Sequence, residues 1–214
     1  MKSRCRHLAA ALATVLAAAT IPTLPTFAAL APRAEKPAMD TFKPGNYMEF
    51  SDSKVSNGSC KRWQVKQTNS DGMLISQCND LQYFQSVDND FNLTKLAKSN
   101  GDVQFEFKPF MPDLAFPLEV GKKWTGEYTG TSVHESAKWK SKMQCEATAF
   151  EKVKVAAGEF DAFRIEWVDH WRAMMVLSGE KRSTRWYAPK VNGMVKLVHD
   201  DPKWNYELTG YKVD

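Results

Sequence analysis

The sequence predicts an all-β protein, an antiparallel barrel or sandwich of about ten strands. From Tyr47 onward, short runs of alternating apolar and polar residues follow one another and are separated by residues typical of turns. In residues 138–149 the odd positions are apolar except Ser141 and the even positions are polar, which is the period of a half-buried strand. Apart from the short segment 91–98, no stretch of useful length carries a helical apolar stripe. These observations together favour a fold built from strands alone.

The first 28 residues have the pattern of a secretory signal peptide. Three basic residues come first, an apolar run from Leu8 to Ile21 follows, and small residues lead up to Ala28. A membrane anchor is the alternative, but it needs about 20 consecutive apolar residues, and this run is shorter and is followed by prolines. We predict cleavage after Ala28, a periplasmic or secreted location, and no stable membrane span after cleavage.

The remaining chain reads as one domain behind a short leader. Residues 29–42 are rich in alanine and proline and lack an apolar period, so we predict a disordered leader. Residues 43–214 are then a single β domain. Removal of residues 1–28 takes away Lys2, Arg4 and Arg6 and no acid, so the formal net charge of +4 falls to +1. A nearly neutral chain lacks the basic surface that nucleic-acid binding requires.

Three cysteines remain after the predicted cleavage, and an exported chain encounters oxidising conditions. We expect a disulfide between Cys60 and Cys78, with Cys145 a buried thiol on the inner face of its strand. A two-residue hairpin turn at Asp71-Gly72 would exclude this bridge, because it places Cys78 opposite Val65. A longer loop over residues 67–71 would allow it.

Two hairpins are predicted in the C-terminal half. In "KVAAGEFDAFRIEW", residues 154–167, Gly158 provides the positive φ of a tight turn and Phe160 returns the chain to the core. In "RWYAPKVNGMVKLV", residues 185–198, the pair Asn192-Gly193 is typical of a two-residue primed turn. Such a turn would place Val191 opposite Met194.

These same segments resemble a known family. The stretches "FPLEVGKKWTGEY", "VKVAAGEFDAFRIEW" and "STRWYAPKVNGMVKL" are similar to motifs of uncharacterised exported bacterial β-domain proteins, V-x-V-P-A-G-x-F-D and W-Y-x-P-x-x-x-G-x-V-K. The resemblance covers about residues 110–200, and Ala156 stands where the family usually has proline. It implies a periplasmic antiparallel β domain and brings no catalytic residues with it.

No catalytic motif is present, and we expect no metal or cofactor. Asp88, Asp90 and Asn92 alternate as in a calcium loop, but Leu93 occupies the position that such a loop gives to glycine. A hydrolase-type enzyme is the alternative reading of the three remaining histidines, two of which adjoin aspartates. The candidate pairs are His170 with Asp169 and His199 with Asp200 or Asp201, and the third histidine is His134.

Aromatic residues are the more unusual feature of this chain. Seven tryptophans in a β domain can fill the core or line a cavity for an apolar ligand. Trp186 and Tyr187 are adjacent in a strand and must point to opposite faces. We therefore predict a ligand site at Trp171, Trp186 and Tyr187, in a non-enzymatic exported protein that binds an apolar or amphipathic small molecule or a protein of the cell envelope.

Overall fold

The computed structural model describes residues 31–51, 54–55, 58–68, 72–174 and 176–214. The predicted signal peptide lies outside this part of the chain. The described residues form a closed antiparallel barrel of twelve strands and two separate two-stranded sheets, so the all-β prediction is confirmed and the barrel replaces the sandwich. The strands are β1 Arg33–Ala34, β2 Tyr47–Phe50, β3 Lys54–Val55, β4 Gly58–Ser59, β5 Arg62–Thr68, β6 Met73–Cys78, β7 Leu81–Ser86, β8 Asn92–Lys98, β9 Val103–Met111, β10 Leu118–Glu119, β11 Lys123–Ser132, β12 Ala137–Val155, β13 Gly158–Ala173, β14 Leu177–Ala188, β15 Gly193–His199 and β16 Tyr206–Lys212.

The barrel is an up-and-down meander. Each of its strands pairs with the next barrel strand along the chain, and β3–β4 and β1–β10 form the two separate sheets. The last strand closes the circle by pairing with the first, with Leu208 opposite Phe50 and Lys212 opposite Tyr47. Every barrel strand pairs with a neighbour on each side over at least part of its length, so the barrel has no terminal edge strand.

The longest hairpin, β12–β13, carries the central part of the core. Its register shifts at Ala147 and Ala149, and β13 begins at Gly158, whose φ is +129°. Phe163 and Ile165 have no measurable exposure. The full burial of one such side chain contributes roughly 1.5–3 kcal/mol, so this strand is a main source of stability.

The connection from β14 to β15 differs from the predicted primed turn. Strand β14 ends at Ala188, a 3-10 turn covers Pro189–Val191, and Asn192 adopts the left-handed conformation at φ 50°. Tyr187 therefore lies opposite Met194. The predicted register was wrong because proline has no N–H for the ladder and begins the 3-10 turn, which shortens both strands.

A disulfide joins Cys60 and Cys78, and Cys145 is a buried free thiol. Neither of the two loops considered for β5–β6 has the observed register, since Gln64 pairs with Gln77 and the register shifts after Val65. Cys60 lies just before β5, so the bridge ties the approach to this strand, rather than the strand itself, to β6.

Within the leader that the sequence predicts to be disordered, residues 29–42, the described residues 31–42 contact the rest of the β domain. Strand β1 pairs with β10, with Ala34 opposite Leu118, and both side chains are buried. Met39 and Phe42 pack against a small apolar cluster of Val65, Leu74 and Phe91. The composition of this segment concealed these contacts, because pairing with a distant strand leaves no local pattern.

Within the described residues, no helix has the length and apolar character needed to cross a membrane.

Candidate ligand-binding site

The interior of the barrel contains a cavity of about 550 Å³. All twelve barrel strands contribute side chains to its lining. Barrels of eight strands are filled by side chains or hold one small ligand, and diameter grows with strand number, so twelve strands leave additional space. One part of the wall is apolar and is formed by side chains such as Trp63, Val65, Leu74, Phe91, Phe107 and Met111.

An ion pair also lines the cavity. Nη1 of Arg185, on β14, is 2.9 Å from Oδ1 of Asp113, and the two side chains are only 12% and 19% exposed. The Arg185 guanidinium also lies 4.6 Å from the ring centre of Trp167, and its Nε donates to Ser183 Oγ at 3.3 Å. Burial raises the pKa of the Asp113 carboxyl, and the positive charge of Arg185 opposes that rise.

Asp113 reaches the cavity on the segment that connects β9 to β10. The side chain of Asn92 fastens this segment, since it accepts from Leu114 N–H and donates to the Leu114 carbonyl, both at 2.8 Å. Asp90 Oδ2 accepts from Phe116 N–H at 3.1 Å. Asp90 and Asn92, two residues of the calcium-like pattern, therefore hold this loop in place. The side-chain oxygens that they use are the ones that a calcium ion would need.

A second buried acid, Asp169, faces the same cavity. Its Oδ2 accepts hydrogen bonds from Tyr128 Oη and Ser141 Oγ, each at 3.1 Å. Its Oδ1 is buried without a hydrogen-bond partner among the described residues. Burial raises the pKa of Asp169, and the two hydrogen bonds and Lys181 oppose this effect. Burial and the nearby Asp169 also raise the pKa of Tyr128.

The cavity therefore combines apolar surface with a compact polar cluster. We call the side chains of Asp113, Tyr128, Asp169, Lys181 and Arg185 the polar cluster; all five residues line the cavity. Asp169 Oδ1, in this cluster, and Trp167 Nε1, on the same strand, are buried and have no hydrogen-bond partner among the described residues. Such groups are normally paired with protein, water or ligand.

The three predicted ligand residues lie in different places. Tyr187 is 2% exposed and lines the cavity. Trp186 is not part of the lining; its Nε1 donates to Glu151 Oε1 at 2.9 Å and Lys196 lies over its ring. Trp171 is also outside the lining and lies against Gly179, where an added Cβ would be 2.9 Å from the indole.

Of the proposed His/Asp pairs, Asp169 and His170 are separated by strand alternation. Asp169 is buried, whereas His170 is exposed and its Nδ1 lies 3.2 Å from Glu180 Oε2. His199 lines the cavity and its Nδ1 lies 2.6 Å from Asp200 Oδ1. The same nitrogen accepts from Asp201 N–H at 2.9 Å, and burial lowers the pKa of His199, which favours the neutral imidazole.

The described residues hold no group of three or more His, Cys, Asp or Glu side chains placed to bind a metal. His134 is 3.5 Å from Asp102 on the exposed surface.

Sequence reasoning missed Arg185 and Asp113. A signal for Arg185 was present, because it shares the phase of the inward residues Ser183 and Tyr187. A charged residue at an inward position of a strand indicates a buried partner. Asp113 had no such signal, since it lies outside the period-two segments.

The chain is similar to three solved structures. They are a protein from Parabacteroides distasonis described as a candidate lipoprotein (10% identity, 80% of this chain, 96% of that chain, TM-score 0.45), a protein from Bacteroides fragilis with a YmcC-like fold (11%, 79%, 96%, 0.47) and the hypothetical lipoprotein YmcC from Escherichia coli (11%, 83%, 90%, 0.45). No family model and no curated protein matches the chain. The motifs of the resembled family therefore stay a prediction.

Proposed function

We propose that this chain is an exported, non-enzymatic protein that binds one amphipathic small molecule inside its barrel. The observation that carries the proposal is the cavity of about 550 Å³ with an apolar wall and a polar cluster. Its volume lies in the range of roughly 300–1,000 Å³ that is usual for small-molecule sites. The signal-like N-terminus and the Cys60–Cys78 disulfide support a periplasmic location, because disulfides persist in oxidising compartments.

The wall chemistry supports an amphipathic rather than a wholly apolar ligand. An apolar body would displace water from the wall formed by residues such as Leu74 and Phe91. A polar head would lie near Arg185, which has five N–H donors. Among the described residues its Nη1 contacts Asp113 and its Nε contacts Ser183, and we assign Nη2 as the donor to the ligand. Tyr187 belongs to this binding wall.

The first test uses the environment-sensitive dye N-phenyl-1-naphthylamine as the ligand. The wild-type protein is expected to increase the fluorescence of the dye in a saturable manner. Ser76 lines the cavity, and Ser76→Trp should fill it and weaken dye binding about tenfold or more. The matched control is Gln77→Trp on the same strand, because Gln77 points outward and donates to the Asn79 carbonyl at 2.7 Å.

Two results would contradict the proposal: no saturable binding to the wild type, or equal binding by both tryptophan variants. The natural ligand is then sought by native mass spectrometry of protein purified from the periplasm. A stoichiometric adduct that is absent after denaturation supports the proposal and gives the mass of the ligand. A bare chain in that experiment, together with a failed dye titration, favours binding of an envelope protein instead.

A further inference from the structure

Several exposed apolar side chains gather at one end of the barrel. Met174 is 76% exposed, Val176 is 86% exposed and Leu177 is 49% exposed, and all three lie where β13 connects to β14. Val133, 46% exposed, lies in the neighbouring β11–β12 connection. Scattered single apolar residues are ordinary on a surface, whereas a contiguous group indicates an interaction site. We call Met174, Val176 and Leu177 the apolar tip.

Unpaired cations lie directly behind this tip. Lys140 on β12 is opposite Arg172 on β13, and Lys138 precedes Lys140 on the same outward face. None of the three makes an ion pair with the described residues, although the next lysine on β12, Lys142, lies 4.0 Å from Glu127. Two like charges in directly opposed positions repel each other. The fold therefore keeps three positive charges close together, and their mutual repulsion lowers its stability.

One common role of lysines on a strand, the protection of a free edge, does not apply to these residues. Lysine often protects an exposed strand edge from pairing with other chains. Strand β12 pairs with β11 over residues 137–146 and with β13 over residues 139–155, so Lys138 and Lys140 do not lie on a free edge. The acids near this end of the barrel are mostly paired, Asp102 with Lys98 and Glu180 with Arg182. Glu135 has no ion pair with the described residues and is the exception.

We propose that the apolar tip and its basic residues dock this end of the barrel on the surface of an anionic phospholipid bilayer. Apolar side chains that enter the interface below a ring of Lys and Arg are the recognised pattern of peripheral membrane binding. Lipid phosphates would neutralise Lys138, Lys140 and Arg172, and the acyl boundary would accept the tip. The tip lies at the connection between β13 and β14, and Asp169 and Lys181 of these two strands line the cavity, so docking places this end of the barrel against the lipid.

The docking proposal does not depend on ligand binding and is tested separately. The full mature protein is sedimented with vesicles of phosphatidylcholine and phosphatidylglycerol in equal parts, and with vesicles of phosphatidylcholine alone. Stronger binding to the anionic vesicles, weakened by added salt, is expected. The variant Lys138→Gln, Lys140→Gln, Arg172→Gln should lose about a hundredfold in partitioning, since each basic residue near an anionic surface contributes about fivefold.

A second variant tests the apolar contribution. Met174→Ser, Val176→Ser, Leu177→Ser should weaken anionic-vesicle binding about tenfold or more without lowering thermal stability, because these side chains are exposed. Its control is Val120→Ser, Val198→Ser, Val213→Ser, which removes three other exposed apolar side chains. The charge control is Lys43→Gln, Lys61→Gln, Lys154→Gln, at exposed lysines elsewhere in the chain.

The proposal is overturned if the wild type does not bind anionic vesicles at low salt, or if the tip and charge variants bind as well as their controls. Sedimentation velocity tests whether the apolar tip instead contacts a second copy of this chain. A dimer that disappears in the serine variant, combined with no vesicle binding, would assign the tip to contact with a second copy of this chain.

Discussion

Arg185 and Asp113 meet inside the barrel, where Arg185 Nη1 lies 2.9 Å from Asp113 Oδ1. One residue lies in a strand and the other in a connecting segment, and the indole of Trp167 covers the guanidinium. Together with Asp169, this pair places acidic groups in an interior that is lined largely by aromatic and aliphatic side chains. Several consequences can be measured.

Loss of one member of this pair should cost more than loss of both. Arg185→Met leaves the Asp113 carboxylate without its cation in a largely buried position, and we expect the free energy of unfolding to fall by about 3 kcal/mol. The double variant Arg185→Met, Asp113→Leu should recover most of that loss. Urea unfolding followed by tryptophan fluorescence measures both, and additive losses would show that the two residues do not interact.

Asp169 should make stability depend on pH. Burial raises its folded-state pKa above the usual 3.8, so between these two values the folded protein binds more protons than the unfolded chain. Stability from this group is therefore present at low pH and is lost as pH rises through that interval. Asp169→Asn removes this loss and can keep the hydrogen bonds from Tyr128 and Ser141.

The measurement is the difference in unfolding free energy between Asp169→Asn and the wild type. We expect it to shift in favour of the variant as pH rises from about 4 to about 7. Asp40→Asn, on the exposed surface, controls for the loss of a carboxylate. A difference that is constant over this range would refute the assignment.

The disulfide between Cys60 and Cys78 should contribute to stability, whereas Cys145 should be an unreactive buried thiol. Cys60→Ser, Cys78→Ser should lower the free energy of unfolding by about 3 kcal/mol, because the bridge closes a loop with a sequence separation of 18.

Cys145 should resist Ellman's reagent in the folded protein and react after denaturation, since burial raises the pKa of its thiol to about 12. Rapid labelling of native Cys145 would contradict its burial.

A single methyl group should disturb the cavity. A Cβ at Gly130 would lie 2.2 Å from two ring carbons of Trp139, which lines the cavity. Gly130→Ala should displace this indole, shift the tryptophan emission and cost about 1–3 kcal/mol through overpacking. It should also weaken binding of N-phenyl-1-naphthylamine. Thr125→Ala, exposed on the same strand, is the control and should leave emission and dye binding unchanged.

Much of the strand content could be predicted because its signal is local. The alternation around Cys145 identifies the inner face of β12, and the structure has Met143, Cys145 and Ala147 buried there. Tyr187 and Trp186 point to opposite sides for the same reason. Turn details were less predictable, since Pro189 changed the register that Asn192-Gly193 alone would have produced.

The candidate site could be predicted only in part. Of the three residues in the predicted ligand site, Tyr187 lines the cavity, whereas Trp171 and Trp186, equally aromatic, do not. Aromatic content says that a residue is suited to an apolar environment, and it does not say whether that environment is core, cavity or outer surface. Asp113 was out of reach, because its position depends on a loop fastened by Asn92.

The sequence by itself determined most strands and their inner faces, because the alternation of apolar and polar side chains is a local property of neighbouring residues. Tertiary structure alone decided the closure of β16 on β2, the pairing of β1 with β10 and the meeting of Arg185 with Asp113. These contacts join residues far apart in the chain. Their energies depend on which surfaces become neighbours when the barrel closes, and that information is absent from any local pattern.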